Sequence, residues 1–352
     1  MKARIIIGAN YGDEGKGTVV ANYTKNSNNV LNILTNGGAQ RAHSILTKDG
    51  NITFQHFGSG TYHGADNYYS RFFILNPIQF VNEYSSLIVK PKHIYRDRIC
   101  RWSTPFDSIA NLIKEEQLDR KASCGMGIWN TIKRCNSMPI VLFDEFLNME
   151  NQIEYLEKVK KYYEKDLIIP LSWKDIWNSQ VLMYHFIEDC KTMAKLTTVI
   201  SLSELDYENL IFENGQGLLL CDTGKDIYDT TPSNTGILYS LEMLENLNVD
   251  DITAHYVTRP YLTRHGDGQM EDESKRQFVS KDIKEDRTNH SNDFQGDFRF
   301  GYLDIDSLYN RVKFDSRCVK FELDVTHCDE MDRISEFKSK FKTVNIYDTP
   351  LV

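Results

Sequence analysis

Ile5-Ile6-Ile7-Gly8-Ala9-Asn10-Tyr11-Gly12-Asp13-Glu14-Gly15-Lys16-Gly17-Thr18 decides the reading of this chain. The apolar, β-branched run at its start predicts a buried strand. A glycine-rich turn with one lysine follows. Backbone N–H groups of a turn entering a helix point at an anion, and glycine lets the backbone come close to it. Lys16 adds a positive charge for a phosphoryl group. Gly12, Glu14, Gly15, Gly17 and Thr18 complete the candidate phosphate loop. It is not a Walker A motif: Asn10 stands for that motif's first glycine, and Gly17 follows the lysine. Asp13 is a carboxylate inside a phosphate cradle. That placement makes sense if Asp13 takes a proton or holds a metal.

Working outward, the spacing predicts a helix over 16–25 and a strand over 30–34, a βαβ start that calls for a parallel sheet. Asn76-Pro77 and Thr104-Pro105 each open a helix. Residues 142–200 read as helical. Strands are expected over 210–213, 252–264 and 319–325. The polar run 266–297 reads as a surface loop, or in an enzyme as a substrate-ordered lid. No linker or repeat stands out. The expected fold is therefore α/β, a mostly parallel central sheet flanked by helices with a P-loop-like phosphate loop, in one domain over residues 1–352.

The net charge of −9 argues against wholesale nucleic-acid binding, and the hydrophobic fraction of 41% is enough for a sizeable core. The seven cysteines form no C-x-x-C pair. That predicts reduced thiols and a cytoplasmic setting. No stretch reads as a membrane span.

A second glycine turn, Asn36-Gly37-Gly38-Ala39-Gln40-Arg41-Ala42-His43-Ser44, also follows a predicted strand. Parallel strands deliver such loops to one sheet edge, where α/β proteins bind ligands. Asp13 and His43 are expected to face one site.

The chain resembles the adenylosuccinate synthetase family. Gly-Asp-Glu-Gly-Lys-Gly after a strand is similar to the family's start. The second turn resembles Gly-Gly-x-Asn-Ala-Gly-His-Thr, with Gln40, Arg41, Ala42 and Ser44 as departures. Ser123-Cys124-Gly125-Met126-Gly127-Ile128 is similar to the family's monophosphate loop, Thr-Thr-Gly-Arg-Gly-Ile-Gly, and Lys133 or Arg134 lies ready to supply a phosphate charge. Phe212-Glu213-Asn214-Gly215-Gln216-Gly217-Leu218-Leu219 looks like Phe-Glu-Gly-Ala-Gln-Gly-x-Leu-Leu, and Thr231-Pro232-Ser233-Asn234-Thr235 like Thr-Ser-Ser-Asn-Thr. Tyr261 to Gly268 is similar to Tyr-x-Thr-Arg-x-Gly-x-Gly. Arg299 to Asp304 resembles Arg-x-Gly-Trp-x-Asp, although the arginine-rich loop before it is not reproduced. Val325-Thr326-His327-Cys328-Asp329 resembles the guanine-reading Thr-Lys-Leu-Asp, with His327 in place of lysine.

The resemblance implies roles. Asp13 takes the N1 proton of a 6-oxopurine and helps hold Mg²⁺, with the carbonyl of Ala42 as a second ligand. His43 supports negative charge at the 6-oxygen, and Gln216 sits near that oxygen. Gln40, Ser123, Cys124 and Thr231 bind the purine monophosphate. Asp329 reads guanine, which favours GTP as donor and leaves ATP open. Thr288, Asn289 and Arg299 bind L-aspartate. The implied enzyme is a GTP- and Mg²⁺-dependent ligase, homodimeric, that phosphorylates the 6-oxygen of a purine monophosphate and displaces the phosphate with aspartate. IMP is the first choice of acceptor and dGMP the second. A nucleotide-binding regulator without catalysis is the rival from another class, but it needs no such set as Asp13, Lys16, His43 and Gln216.

Overall fold

Strand β1 (Lys2–Gly8) is the centre of the molecule, and its apolar residues are buried on both sides, as a parallel strand covered on both faces requires. The computed structural model describes residues 1–48, 50–119, 123–222, 230–266, 268–271 and 298–347. In chain order the further strands of the main sheet are β2 (Val30–Leu34), β3 (Asp66–Tyr69), β4 (Ile94–Arg96), β5 (Thr198–Val199), β6 (Asn209–Gly217), β7 (Asp251–Thr258), β8 (Phe321–Val325) and β9 (Val344–Ile346). They lie in the order β9-β8-β7-β1-β6-β2-β3-β4-β5, and every pairing is parallel. The expected α/β class is therefore the one observed.

Helix α1 (Lys16–Lys25) follows β1, as the βαβ reading requires. Helix α2 (Pro77–Ser86) is capped by Asn76, whose side chain accepts from Gln79 N at 3.0 Å. Helix α3 (Pro105–Leu118) opens on a capping box between Thr104 and Asp107. Such caps contribute about 1 kcal/mol each. Helix α4 (Ile128–Ser137) follows the glycine turn at 125–127. Between 142 and 200 the chain forms the helices Phe143–Leu147, Gln152–Glu164, Lys174–Trp177 and Gln180–Leu196.

Two strand boundaries differ from the sequence reading. The single strand expected over 252–264 is two. Pro260 has no N–H to give a ladder, so β7 stops at Thr258. The next strand, Leu262–His265, leaves the main sheet and pairs antiparallel with Phe298–Gly301. The strand expected over 210–213 continues through the glycine turn to Gly217, which lies opposite Gly8 of β1.

Three apolar clusters pack the sheet among the described residues. One gathers Phe57, Tyr69, Phe73, Phe80, Trp102 and Phe106. A second gathers Ile5, Leu31, Phe212, Tyr256 and Leu323, and a third sets Ile6, Ile211 and Val257 of the central strands against Val19 and Val20 of α1. Each such side chain contributes roughly 1.5–3 kcal/mol by leaving water. This core fixes where β1, β2, β6, β7 and β8 end. Their C-terminal ends share one edge, and the loops leaving that edge carry the site.

Candidate active site

The loop after β1 closes on itself. Glu14 turns inward and accepts from the backbone N–H of Asn10 at 3.0 Å and of Gly12 at 2.8 Å. Its second oxygen lies 3.0 Å from Lys16 Nζ. A carboxylate thus occupies amides of the kind that cradle phosphates. Asp13, next to it, is held in the left-handed region at φ 61°, which costs a side-chain-bearing residue roughly 1–3 kcal/mol. Thr18 is buried one turn into α1.

Gly17 brings His43 to this loop. A Cβ there would stand 2.8 Å from Ser44 O and 3.2 Å from the carbonyl carbon of His43, so only glycine lets α1 lie against the strand His43–Thr47. His43 Nδ1 is 2.6 Å from Glu213 Oε1, and Arg41 Nη2 is 3.1 Å from the same oxygen. Ser59 adds its hydroxyl to Oε1 at 2.7 Å and its N–H to Oε2 at 3.0 Å. Burial, then the Arg41 charge, depress His43 to about 4 despite Glu213. Burial pushes the Glu213 carboxyl up, but Arg41, His43 and Ser59 outweigh it and hold it at about 2. The imidazole is neutral and the carboxylate ionised. A contact of 2.6 Å between a nitrogen and a carboxylate needs a proton on the nitrogen. Arg41 Nη2 also lies 3.1 Å from Nδ1, but the shorter contact to the carboxylate decides: Nδ1 carries the proton, and Nδ1 and Arg41 share Glu213 Oε1 as acceptor.

Gln40 and Gln216 meet over Gly37. Their amides, Nε2 of Gln40 and Oε1 of Gln216, stand 2.8 and 3.2 Å from where a Gly37 Cβ would be. Both atoms, and Oε1 of Gln40, are buried with no hydrogen-bond partner among the described residues. Orphaned buried amides cost about 1–3 kcal/mol each, and such a cost is expected where a ligand supplies the partner. Gln216 is also held at φ 57°. Asn36 ties the surrounding segments together: its Oδ1 accepts from Gly215 N at 2.9 Å and its Nδ2 reaches Ser233 Oγ at 2.8 Å. The Thr231 segment is joined to α4 by Trp129 Nε1, which donates to Thr230 O at 3.0 Å. The second glycine turn, Gln216, the Thr231 segment and the turn before α4 therefore surround one place. Within that turn, Ser123 Oγ accepts from Asn111 at 2.8 Å and from Gly125 N at 3.1 Å. Cys124 is half-buried, and burial raises its thiol to about 11.

Asp13 faces a basic surround. Its Oδ2 is 3.8 Å from His265 Nε2, with about a quarter of the side chain open to solvent. Burial raises its carboxyl, while His265, Lys16 and Arg259 pull it back. Arg259, fully buried, donates from Nε to the Asp13 carbonyl at 2.7 Å. Ala42 lies exposed beside His43. One carboxylate and one carbonyl are a thin donor set, and among the described residues no group of three His, Cys, Asp or Glu side chains is placed to hold a metal. A thin set of hard oxygens does suit Mg²⁺, which keeps water and takes substrate phosphates for its other positions.

Other expected residues fall elsewhere. Arg299 lies on the strand Phe298–Gly301, opposite Arg264, and donates to the Gly268 carbonyl. Asp329 is exposed, just beyond β8. Thr288 and Asn289 lie outside the described residues. Arg134 is not a spare phosphate charge: it is buried, and its guanidinium is engaged by Asp107 at 2.8 and 3.0 Å. The sequence reading did not single out Arg41, Glu213, Arg259 or His265 as members of the site. One signal for Glu213 was present, an acid closing the apolar run Leu210-Ile211-Phe212 at the ligand edge of the sheet.

The sequence model for adenylosuccinate synthetase matches residues 5–342. The chain belongs to the adenylosuccinate synthetase family. It is accordingly a ligase that forms a C–N bond, in purine biosynthesis. Family relatives include the adenylosuccinate synthetase of Buchnera aphidicola subsp. Schizaphis graminum, 26% identical over 97% of this chain and 81% of that protein. That of Finegoldia magna is 25% identical over 77% of this chain and 66% of that protein. The family fold recurs in the fully ligated adenylosuccinate synthetase of Plasmodium falciparum, with TM-score 0.72, 18% identity, and 95% of this chain matched to 78% of that one. It recurs in the succinoaminodeoxyadenylate synthetase of cyanophage S-2L, solved with dGMP and with dATP as energy donor, with TM-score 0.64, 11% identity, and 99% of this chain matched to 91% of that one. Among the described residues no helix is long and apolar enough to cross a membrane.

Proposed function

We propose that this ligase activates the 6-oxygen of a purine nucleoside monophosphate, IMP first, by phosphoryl transfer from GTP, and replaces it with the amino group of L-aspartate. The supporting observation is the gathering of Asp13, His43 and the orphaned amides of Gln40 and Gln216 at one sheet edge, in a chain of this family. A purine oxygen is a poor leaving group until phosphorylated, and a poor nucleophile until N1 loses its proton. Asp13 is the base for that proton. Burial raises its carboxyl, which favours it as a proton acceptor, against the opposing pull of His265, Lys16 and Arg259. Gln216 offers an uncharged donor and acceptor to the base edge. Gln40, Ser123, Cys124 and Thr231 form the monophosphate side, largely through backbone N–H groups.

His43 presents Nε2 to the reacting oxygen and is a hydrogen-bond acceptor in the resting enzyme. It supports negative charge at that oxygen only as the imidazolium, with the second proton taken up on Nε2 from solvent. Lys16, once Glu14 gives way to a phosphate, stabilises charge on the transferred group. Asp13 and the Ala42 carbonyl would hold Mg²⁺, which supplies charge neutralisation at the transferring phosphoryl group. Arg299, with Thr288 and Asn289, takes the aspartate carboxylates, and Asp329 reads the guanine of the donor. A homodimer in the cytoplasm is the expected form.

The test is phosphate release with GTP, Mg²⁺ and L-aspartate, comparing IMP, GMP and dGMP, with mass analysis of the product. A succinyl adduct from IMP alone supports the reading. Turnover with dGMP alone moves the enzyme to succinoaminodeoxyadenylate synthesis. Silence with all three sinks both.

A further inference from the structure

Glu213 accepts from three donor groups through one oxygen: His43 Nδ1 at 2.6 Å, Ser59 Oγ at 2.7 Å and Arg41 Nη2 at 3.1 Å. Arg41 and Glu213 are each wholly buried. A buried carboxylate is tolerated when a cation pairs with it, and Arg41 is that cation here. Arg41 comes from the second glycine turn, two residues before His43, and its backbone N–H closes that turn onto Gly38 O at 3.2 Å. Its Cζ lies 6.0 Å from the centre of the Phe73 ring, which backs the guanidinium. Two of its nitrogens, Nε and Nη1, are buried without a partner among the described residues. A merely structural arginine would be expected to satisfy more of its fork. The family signature has alanine at this place.

We propose that Arg41 is a positioning residue for His43. It holds the Glu213 carboxylate in one orientation, so that Glu213 keeps the proton on His43 Nδ1 and Nε2 is the unprotonated nitrogen. Which ring nitrogen carries the proton is set by the hydrogen bond the other nitrogen makes. Without Arg41 the carboxylate keeps only neutral partners, and turning it frees Nδ1. The proposal rests on the reading that His43 works at the reacting oxygen, but its test does not need turnover.

The test is ¹⁵N NMR of the imidazole nitrogens of the full chain at neutral pH, with His43 assigned by comparison with His43→Gln. Wild type is expected to show a protonated Nδ1 and a bare Nε2. Arg41→Met is expected to show both tautomers, with kcat lowered by about ten- to a hundredfold and KM for the purine monophosphate within about twofold. Arg41→Lys keeps the charge without the fork, and it is expected to fold and give part of the same shift. If Arg41→Met does not fold, Arg41→Lys decides alone. Wild-type nitrogen shifts in every folded variant would overturn the proposal, and so would a protonated Nε2 in wild type. A wild-type enzyme with the expected tautomer but no turnover would fail the proposed function and leave the positioning role standing.

Discussion

Glu14 Oε2 and Lys16 Nζ are 3.0 Å apart, and each side chain is 2% exposed, inside the loop the two residues help to form. Removing one member of a buried ion pair costs about 3–5 kcal/mol, because the other charge stays behind. Lys16→Met is therefore expected to lower stability by about that much in urea unfolding. Adding Glu14→Gln to it is expected to restore a large part. Equal losses in the single and double variants would show that the pair is not what holds the loop.

Asp13 carries the proposed proton transfer. Asp13→Asn keeps the shape and removes the base. Turnover is expected to drop by at least roughly a hundredfold, while binding of the purine monophosphate, read by calorimetry, stays mostly intact. Near wild-type turnover would take Asp13 out of that role.

Gly17 is where α1 meets the strand of His43. Gly17→Ala puts a methyl 2.8 Å from Ser44 O, and backbone must move. A displacement of about 1 Å at a reacting group can cost about a hundredfold. The expected result is a loss of that order in kcat together with a loss of stability of about 1–3 kcal/mol. Unchanged kcat would mean the hairpin accommodates the methyl without moving His43.

His56 makes stability depend on pH. It is fully buried, its Nε2 accepts from Asn76 N at 2.9 Å, and its Nδ1 lies 3.0 Å from Tyr69 OH. Burial, then the charge of Arg41, hold it at about 3. Unfolded, it titrates near its ordinary value, so the unfolded chain takes up a proton the native state refuses. Its contribution is complete above roughly pH 6.5 and is lost as pH falls toward 3. Between pH 7 and pH 5 that amounts to roughly 2 kcal/mol. His56→Gln is expected to flatten this part of the pH profile of chemical unfolding, and an unaltered slope would assign it to other groups.

Local features of this chain were readable before any coordinates. The caps at Asn76 and Thr104, with the prolines after them, place α2 and α3 because a cap is a matter of a few neighbouring atoms. The apolar runs of β1 and β2 place the sheet for the same reason. The limits appear where chemistry depends on partners far apart in sequence. His43 and Glu213 are separated by 170 positions, and no spacing rule joins them. Arg134 shows the converse: its position after a glycine turn suggests a phosphate ligand, but Asp107, a turn into α3, engages it. The break at Pro260 is written in the sequence, but the apolar alternation on either side of it reads as continuous.

The placement of β1 has a consequence for synthesis on the ribosome. Strand β1 comes before every other strand of the sheet in this sequence and lies in its middle, and its two neighbours, β6 and β7, begin at Asn209 and Asp251. Until those segments emerge, the run Ile5-Ile6-Ile7 has neither edge covered. Long-range parallel pairing is slow, and uncovered apolar strands associate with other chains. A nascent chain cut short before about residue 260 holds the whole phosphate loop in its sequence yet lacks the walls that shape it. Recombinant yield should thus respond to chaperone supply and translation speed more than to the stability of the finished enzyme.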